Sequence, residues 1–339
     1  MRRTASASLL SSASLASAVT LVLAVLLGLA FGTEPISFAR VLDPASLDHA
    51  IVVDVRLPRV LLGAVAGAGL SIVGVALQSL LRNPLAEPYV LGVSGGSAAG
   101  ATLAILLGIT GTTALGASIV PLFALGGGLV ATLLVHSLAS VASGPAGDRT
   151  GASILLAGIV VNAIASAAIT FVKTLVSQSK AQELLFWLTG FLDVPSPPAL
   201  VAMIVYVALG CAILLRDAAR LNVLSLGNDA AEHLGIRVRG LERRTYLASS
   251  LVVGAIVSVT GLIGFVGLLV PHALRKVVGP DARVLMPASI GFGGAALVIC
   301  DLVSRAAFRI FHTEPPVGAV TALIGGTLFL VLLRRRRRA

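Results

Sequence analysis

The chain alternates between long stretches free of Asp, Glu, Lys and Arg and short connections where those residues gather. The uncharged stretches run 4–33, 60–81, 88–147, 150–172, 194–215, 245–274, 284–300 and 315–333. A helix needs about 20 apolar residues, rising about 1.5 Å each, to cross a hydrocarbon layer about 30 Å thick. The 88–147 stretch is long enough for two crossings divided at residues 110–113, and 245–274 holds two short ones that turn near Gly261 and Gly264. The pattern therefore predicts an all-α polytopic membrane protein with ten transmembrane helices, formed as a single domain over residues 1–339.

Composition agrees. Hydrophobic residues make up 57% of the chain and charged ones 12%, against about 25% charged in a typical soluble domain. A soluble protein of this length would lack the polar residues to coat its cores. The net charge of +10 would suggest nucleic acid in a soluble protein, but here it sorts by side of the membrane, and no nucleic-acid partner is expected. Ten spans put both termini on one side, and Arg2, Arg3 and the arginines at 334–338 assign that side to the cytoplasm. Of the 25 Lys and Arg residues, eighteen then face inward and seven outward. The remaining parts are an N-terminal cytoplasmic tail (1–14), an outer loop with a short helix (173–193), a cytoplasmic loop (216–244) and a basic cytoplasmic tail (334–339). Arg2 and Arg3 ahead of an apolar stretch could open a signal peptide, but no A-x-A site follows that stretch, so the first span is expected to stay uncleaved.

Glycines four apart, Gly63 and Gly67 and then Gly92, Gly96 and Gly100, fit close helix packing in lipid. Cys211 and Cys300 each sit in an apolar run and read as small core residues. Uphill transport needs a coupling device. No G-x-x-x-x-G-K-[ST] loop exists, since none of Lys173, Lys180 and Lys276 follows a glycine, so the chain is not expected to hydrolyse ATP. An ion-coupled carrier would keep ionisable groups inside its bundle. The one acidic candidate, Asp301, lies near Arg305 and reads as an interfacial pair, while His136 and His272 stand singly near inner helix ends, which gives no metal site. A partner supplying the motor is the reading left. The longest inner connection contains Leu226-Gly227-Asn228-Asp229-Ala230-Ala231-Glu232-His233-Leu234-Gly235, where Asn228 or Asp229 can cap a short helix and Gly235 can end it. That helix is either a solvated connector or a seat for a partner.

This loop resembles the coupling segment of the FecCD-type (iron-siderophore, haem and vitamin B12) ABC importer permeases. Four other segments agree in order: Arg56-Leu57-Pro58-Arg59; Gln78 with Arg82-Asn83-Pro84-Leu85-Ala86-Glu87-Pro88 and Leu91-Gly92-Val93-Ser94-Gly95-Gly96; Gly264-Phe265-Val266-Gly267-Leu268-Leu269-Val270-Pro271-His272; and Glu314-Pro315-Pro316-Val317-Gly318. The resemblance implies a cell-membrane subunit that pairs with a second permease subunit, a copy or a paralogue, around a central path. It also implies an ATP-binding subunit dimer beneath, which carries the ATP and Mg²⁺, and an extracytoplasmic substrate-binding protein above; this chain binds no cofactor of its own. Leu226, Gly227, Asp229, Ala231, Glu232, Leu234 and Gly235 would couple to the ATPase. Arg56, Arg59 and Arg305 match positions that pair with glutamates of the binding protein, which suits bidentate guanidinium groups, though arginines at helix ends also snorkel. The family's gate falls at Thr150, Gly151, Ala152 and Ser153, whose two middle positions lack the hydroxyls of well-known members. Asn162 either lines a wet path or bonds a neighbouring helix, and a short outer helix is expected over 182–192 around Trp187. Gln78 and Asn83-Pro84 read as architectural. The implied cargo is a metal chelate, a ferric siderophore ahead of haem or cobalamin. The competing reading is an ion-coupled secondary carrier of about ten spans.

Overall fold

A computed structural model describes residues 2–109, 119–142, 151–194 and 196–336. Helix α1 (Arg2–Ala30) leads through α2 (Phe38–Val41) and α3 (Leu47–Ala50) into a π-helical segment (Ile51–Arg56) that continues directly as α4 (Leu57–Leu80). A 3-10 turn (Pro88–Leu91) precedes α5 (Val93–Leu106), followed by α6 (Val120–Ala142), α7 (Gly151–Leu175), α8 (Gln178–Thr189) and α9 (Pro197–Leu224). The chain ends with α10 (Asn228–His233), α11 (Val238–Thr260), α12 (Val266–Val278), α13 (Ala282–Phe311) and α14 (Val317–Arg336). Among the described residues there is no strand.

The eight uncharged stretches, two of them read as double, overlap ten helices: α1, α4, α5, α6, α7, α9, α11, α12, α13 and α14. Six of these, α1, α4, α6, α7, α9 and α13, are long and apolar enough to cross a bilayer. The predicted break at 110–113 lies outside the described residues, whereas the turn near Gly261 and Gly264 is present between α11 and α12. Boundaries shifted where charge enters a helix before the helix ends. α11 starts at Val238 and carries Arg239, Glu242, Arg243 and Arg244, while α13 runs on past Arg305 and Arg309. The segment read as an N-terminal tail is helical from Arg2, and the basic tail begins within α14.

Helix starts follow the local chemistry. Pro58, which has no N–H to bond backward, stands just where the π-helical segment gives way to α4. Ser196 caps α9 ahead of Pro197 and Pro198, and Asp281 caps α13 by accepting from Arg283 N at 2.9 Å.

α4 is the central column. It packs against α13, α9, α12, α11 and α1, and most of its residues are buried. α7, in contrast, turns Leu156, Ile159, Ile164 and Phe171 outward, as a helix solvated by lipid can. Glycines set how closely the column is approached. A Cβ on Gly67 would overlap the Gly293 carbonyl of α13, and one on Gly74 would overlap the Gly267 carbonyl of α12. Lipid supplies little hydrophobic drive between helices, so backbone proximity and dispersion have to hold them. Gly96 and Gly100 of α5 meet the Gly127 and Phe123 carbonyls of α6 in the same way.

Gly67→Val and Gly74→Val are expected to destabilise the bundle by about 1–3 kcal/mol or more, because backbone faces backbone and neither can yield. Gly126→Ala, at a position with nothing within 4 Å, should be silent. Thermal melting of the purified chain in detergent reads both, and equal melting of Gly74→Val and Gly126→Ala would refute the packing argument.

Candidate coupling and docking sites

α10 is a six-residue helix pinned between α9 and α11 by the fully buried Ala231. Gly227 and Gly235 flank it with φ of 124° and 80°, conformations that a side chain disfavours. Gly235 closes it as expected, with Gly235 N donating to Glu232 O and Ile236 N to Ala231 O. The start differs: the cap residue is Gly227, and the Asn228 carboxamide is turned to Arg82, whose Nη2 donates to Asn228 Oδ1 at 2.7 Å. Leu226 and Leu234 are 72% and 66% exposed, with Asp229 and Glu232 exposed between them. The same face of the protein carries Asp281, which accepts from Arg283 and Asn222; these bonds, Arg283's first, hold its carboxyl down at about 2.

At the other end, the three arginines assigned to docking are taken up inside the chain. Arg56 is buried and donates Nη1 to Leu29 O (2.8 Å) and Ala30 O (3.0 Å) and Nη2 to Glu34 O. Arg305 is buried and donates Nη1 to Gly28 O and Phe31 O, both at 3.0 Å. Phe31 N donates to Leu27 O. The last four carbonyls of α1, which no helix can satisfy by itself, are thereby all accounted for, and the cations sit at the negative end of its dipole. Asp301 lies 2.9 Å from Arg305 and 2.8 Å from Arg59, so the expected Asp301–Arg305 pair is extended to a third member. Arg59 also reaches Glu314 at 2.9 Å, and of the three arginines its side chain is the most open, at 20% exposure. Beside it a cavity of about 610 Å³ opens under α8, lined among others by Glu183, Trp187, Asp193, Gly261 and Glu314. α8 is the short outer helix, placed about four residues earlier than the sequence suggested.

Asn162 makes an interhelical bond. From α7 its Nδ2 donates to Tyr89 O (2.6 Å), and its Oδ1 accepts from Gly95 N (3.1 Å) in the first turn of α5. Thr150 lies outside the described residues; Gly151, Ala152 and Ser153 form the first turn of α7, more than two helical turns before Asn162. Gln78 is architectural: Nε2 donates to the Gly267 and Leu268 carbonyls and Oε1 accepts from Arg275. Asn83 Oδ1 accepts from Leu85 N. Sequence reasoning gave no role to Glu87 beyond its place in the segment 82–88. Its Oε1 accepts from Phe265 N at 2.6 Å, capping α12 from a connection remote in sequence. The available signal was a single carboxylate between Pro84 and Pro88 at the edge of the longest uncharged stretch. Among the described residues no three His, Cys, Asp or Glu could hold a metal ion.

Residues 20–335 match the FecCD transport family. The chain belongs to that family. It is 41% identical over 288 residues to the cobalamin import system permease protein BtuC of Halobacterium salinarum, covering 85% of this chain and 74% of that one. It is 34% identical over 308 residues to the hemin transport system permease protein HmuU of Yersinia pestis, covering 90% of each. A solved metal-chelate type ABC transporter in an inward-facing conformation superposes with a TM-score of 0.82 at 29% identity, covering 96% of this chain and 99% of that one. FecCD chains are ABC permease subunits, multi-pass proteins of the cell membrane that depend on a separate ATPase, in keeping with the missing phosphate-binding loop.

Asp301→Ala strips the buried Arg305 of its carboxylate partner and leaves Arg59 with Glu314 alone, and should cost about 3–5 kcal/mol. Asn162→Leu orphans one amide and one carbonyl and should cost about 1–3 kcal/mol. Denaturation in detergent measures both; an Asp301→Ala chain as stable as the parent would show that the outer cluster does not hold α1.

Proposed function

We propose that this chain is the membrane subunit of an importer for a bulky metal-chelate or tetrapyrrole-like cargo, of the class spanning cobalamin, haem and ferric siderophores. In this reading the chain makes ten crossings, α5 and α12 completing theirs with the irregular segments that lead into them, both termini lie in the cytoplasm, and a second permease subunit completes the path. Access alternates between the two faces as the partner ATP-binding subunits close and open. The observation that carries the reading is the face of α10. Leu226 and Leu234 are apolar and open, with Asp229 and Glu232 between them, on a connection that is too charged to enter lipid. Exposed leucines flanking acidic groups fit a complementary cleft in a partner better than they fit water.

The siderophore preference expected from sequence gives way to the broader class, because the relatives at 41% and 34% identity are named for cobalamin and hemin. The ion-coupled carrier is not favoured. Its required carboxylate would be Asp301, which two arginines already neutralise. At the outer face Arg59 is the arginine suited to meet a carboxylate of the binding protein, with Arg56 and Arg305 supporting it by holding α1 in place.

The test is purification with the cognate ATP-binding subunit and reconstitution in lipid. Binding protein loaded with cobalamin, haem or a ferric siderophore should raise ATP turnover for one of the three. Leu226→Glu with Leu234→Glu should abolish co-purification while the chain stays folded, since both side chains are exposed. Retained co-purification of this double variant would remove α10 as the seat of the motor.

A further inference from the structure

α5 and α12, at 14 and 13 residues, are only about 20 Å long and fall short of an apolar layer about 30 Å thick. Both begin against the same connection, residues 82–91. It leaves α4 at Arg82, a non-glycine residue held at φ 50°. Such a left-handed conformation is costly for arginine and persists only where surrounding contacts impose it.

Three bonds hold this connection, and each reaches a different helix. Arg82 Nη2 donates to Asn228 Oδ1 (2.7 Å), the first residue of α10. Glu87 Oε1 accepts from Phe265 N (2.6 Å) at the head of α12, and the Pro88 ring lies against Gly267 one turn on. Tyr89 O accepts from Asn162 Nδ2 (2.6 Å) on α7, and Asn162 Oδ1 returns to Gly95 N on α5. The Glu87 contact pairs a carboxylate with a helix N-terminus in a mostly buried place, which is strong and directional. The Arg82–Asn228 contact is exposed and can break and re-form. A lever needs this combination: a rigid load arm and an adjustable input.

We propose that residues 82–89 transmit motion of α10 into the bundle, with Arg82 as the input and Glu87 and the Tyr89 carbonyl as the outputs to α12 and α7. This rests on α10 being the seat of the ATP-binding subunit. Arg82 and Glu87 are then positioning residues, touching neither nucleotide nor cargo.

The experiment uses the full chain with its ATP-binding subunits and binding protein in lipid nanodiscs and liposomes. In the parent complex a non-hydrolysable ATP analogue changes hydrogen-exchange protection of the amides at 265–269. In Arg82→Ala that change is lost, and cargo moved per ATP falls by about tenfold. Asn228→Ala, at the first residue of α10 where alanine suits a helix, gives the same defect, and the Arg82→Ala, Asn228→Ala double variant is no worse than either single one. Glu87→Ala loses the response, while Glu87→Gln, which can still accept from Phe265 N, recovers it. An Arg82→Ala complex that keeps both the exchange response and the transport ratio overturns the proposal, as does a double variant whose defects multiply. A parent chain that fails to hold the ATP-binding subunit overturns the underlying reading of α10 instead.

Discussion

A backbone N–H or C=O that loses its helical partner inside a bilayer has no water to turn to, and the bundle is organised around the places where this happens. α1 ends with four spare carbonyls, and the guanidinium groups of Arg56 and Arg305, with Phe31 N, supply all the donors they need. α12 begins after the 261–265 break, and Glu87 receives its leading amide; α5 begins after a 3-10 turn, and Asn162 receives Gly95 N. In each case a charged or amide side chain from a distant part of the sequence closes a helix end that its own neighbours leave open. These side chains tie α1 to α4 and α13, α12 to the 82–91 connection, and α5 to α7.

Close packing around α4 depends on the same economy. A helix whose ends are satisfied elsewhere can be short, and a short helix can lie obliquely against the column. Gly74 and Gly267 let α12 reach α4 at backbone contact, so that Gln78 can bond the Gly267 and Leu268 carbonyls just where α12 begins. A larger residue at either glycine would move those carbonyls out of reach of Gln78 and take Arg275, bonded to the same carboxamide, with them.

Much of the architecture was legible in the sequence, because lipid reduces it to runs of uncharged residues: the stretch 150–172 became α7 and 315–333 became α14 almost unchanged. Gly235 ended α10 as its residue type demanded. Legibility failed where function or placement depended on contacts between remote positions. Arg56 and Arg305 look identical in sequence whether they face a partner or cap α1 some 27 and 277 residues away. Glu87 looks like any inner-loop charge until Phe265, 178 residues on, is brought beside it. Helix ends at α11 and α13 were misplaced for a simpler reason: charged side chains at membrane edges stay on the helix while their heads leave the apolar layer.

The two faces also differ in how firmly their charges are held. At the end of the bundle where α1 stops, Asp301 is 1% exposed, Arg305 4% and Arg59 20%, so breaking these contacts would leave a charge stranded in a low-dielectric setting. At the end that carries α10, Asp217 is buried, but its partners Arg220 and Arg244 are 48% and 51% exposed, and the Arg283–Asp281 pair is more open still. Pairs as exposed as these contribute little to stability and can be rearranged at low cost. The end of the bundle that holds Asp301 is therefore the more firmly clamped, and the end that carries α10 the easier to rearrange. That asymmetry suits the proposed arrangement, in which an ATP-binding subunit meets α10, because the contacts that are cheapest to remake then lie beside the proposed seat of the motor.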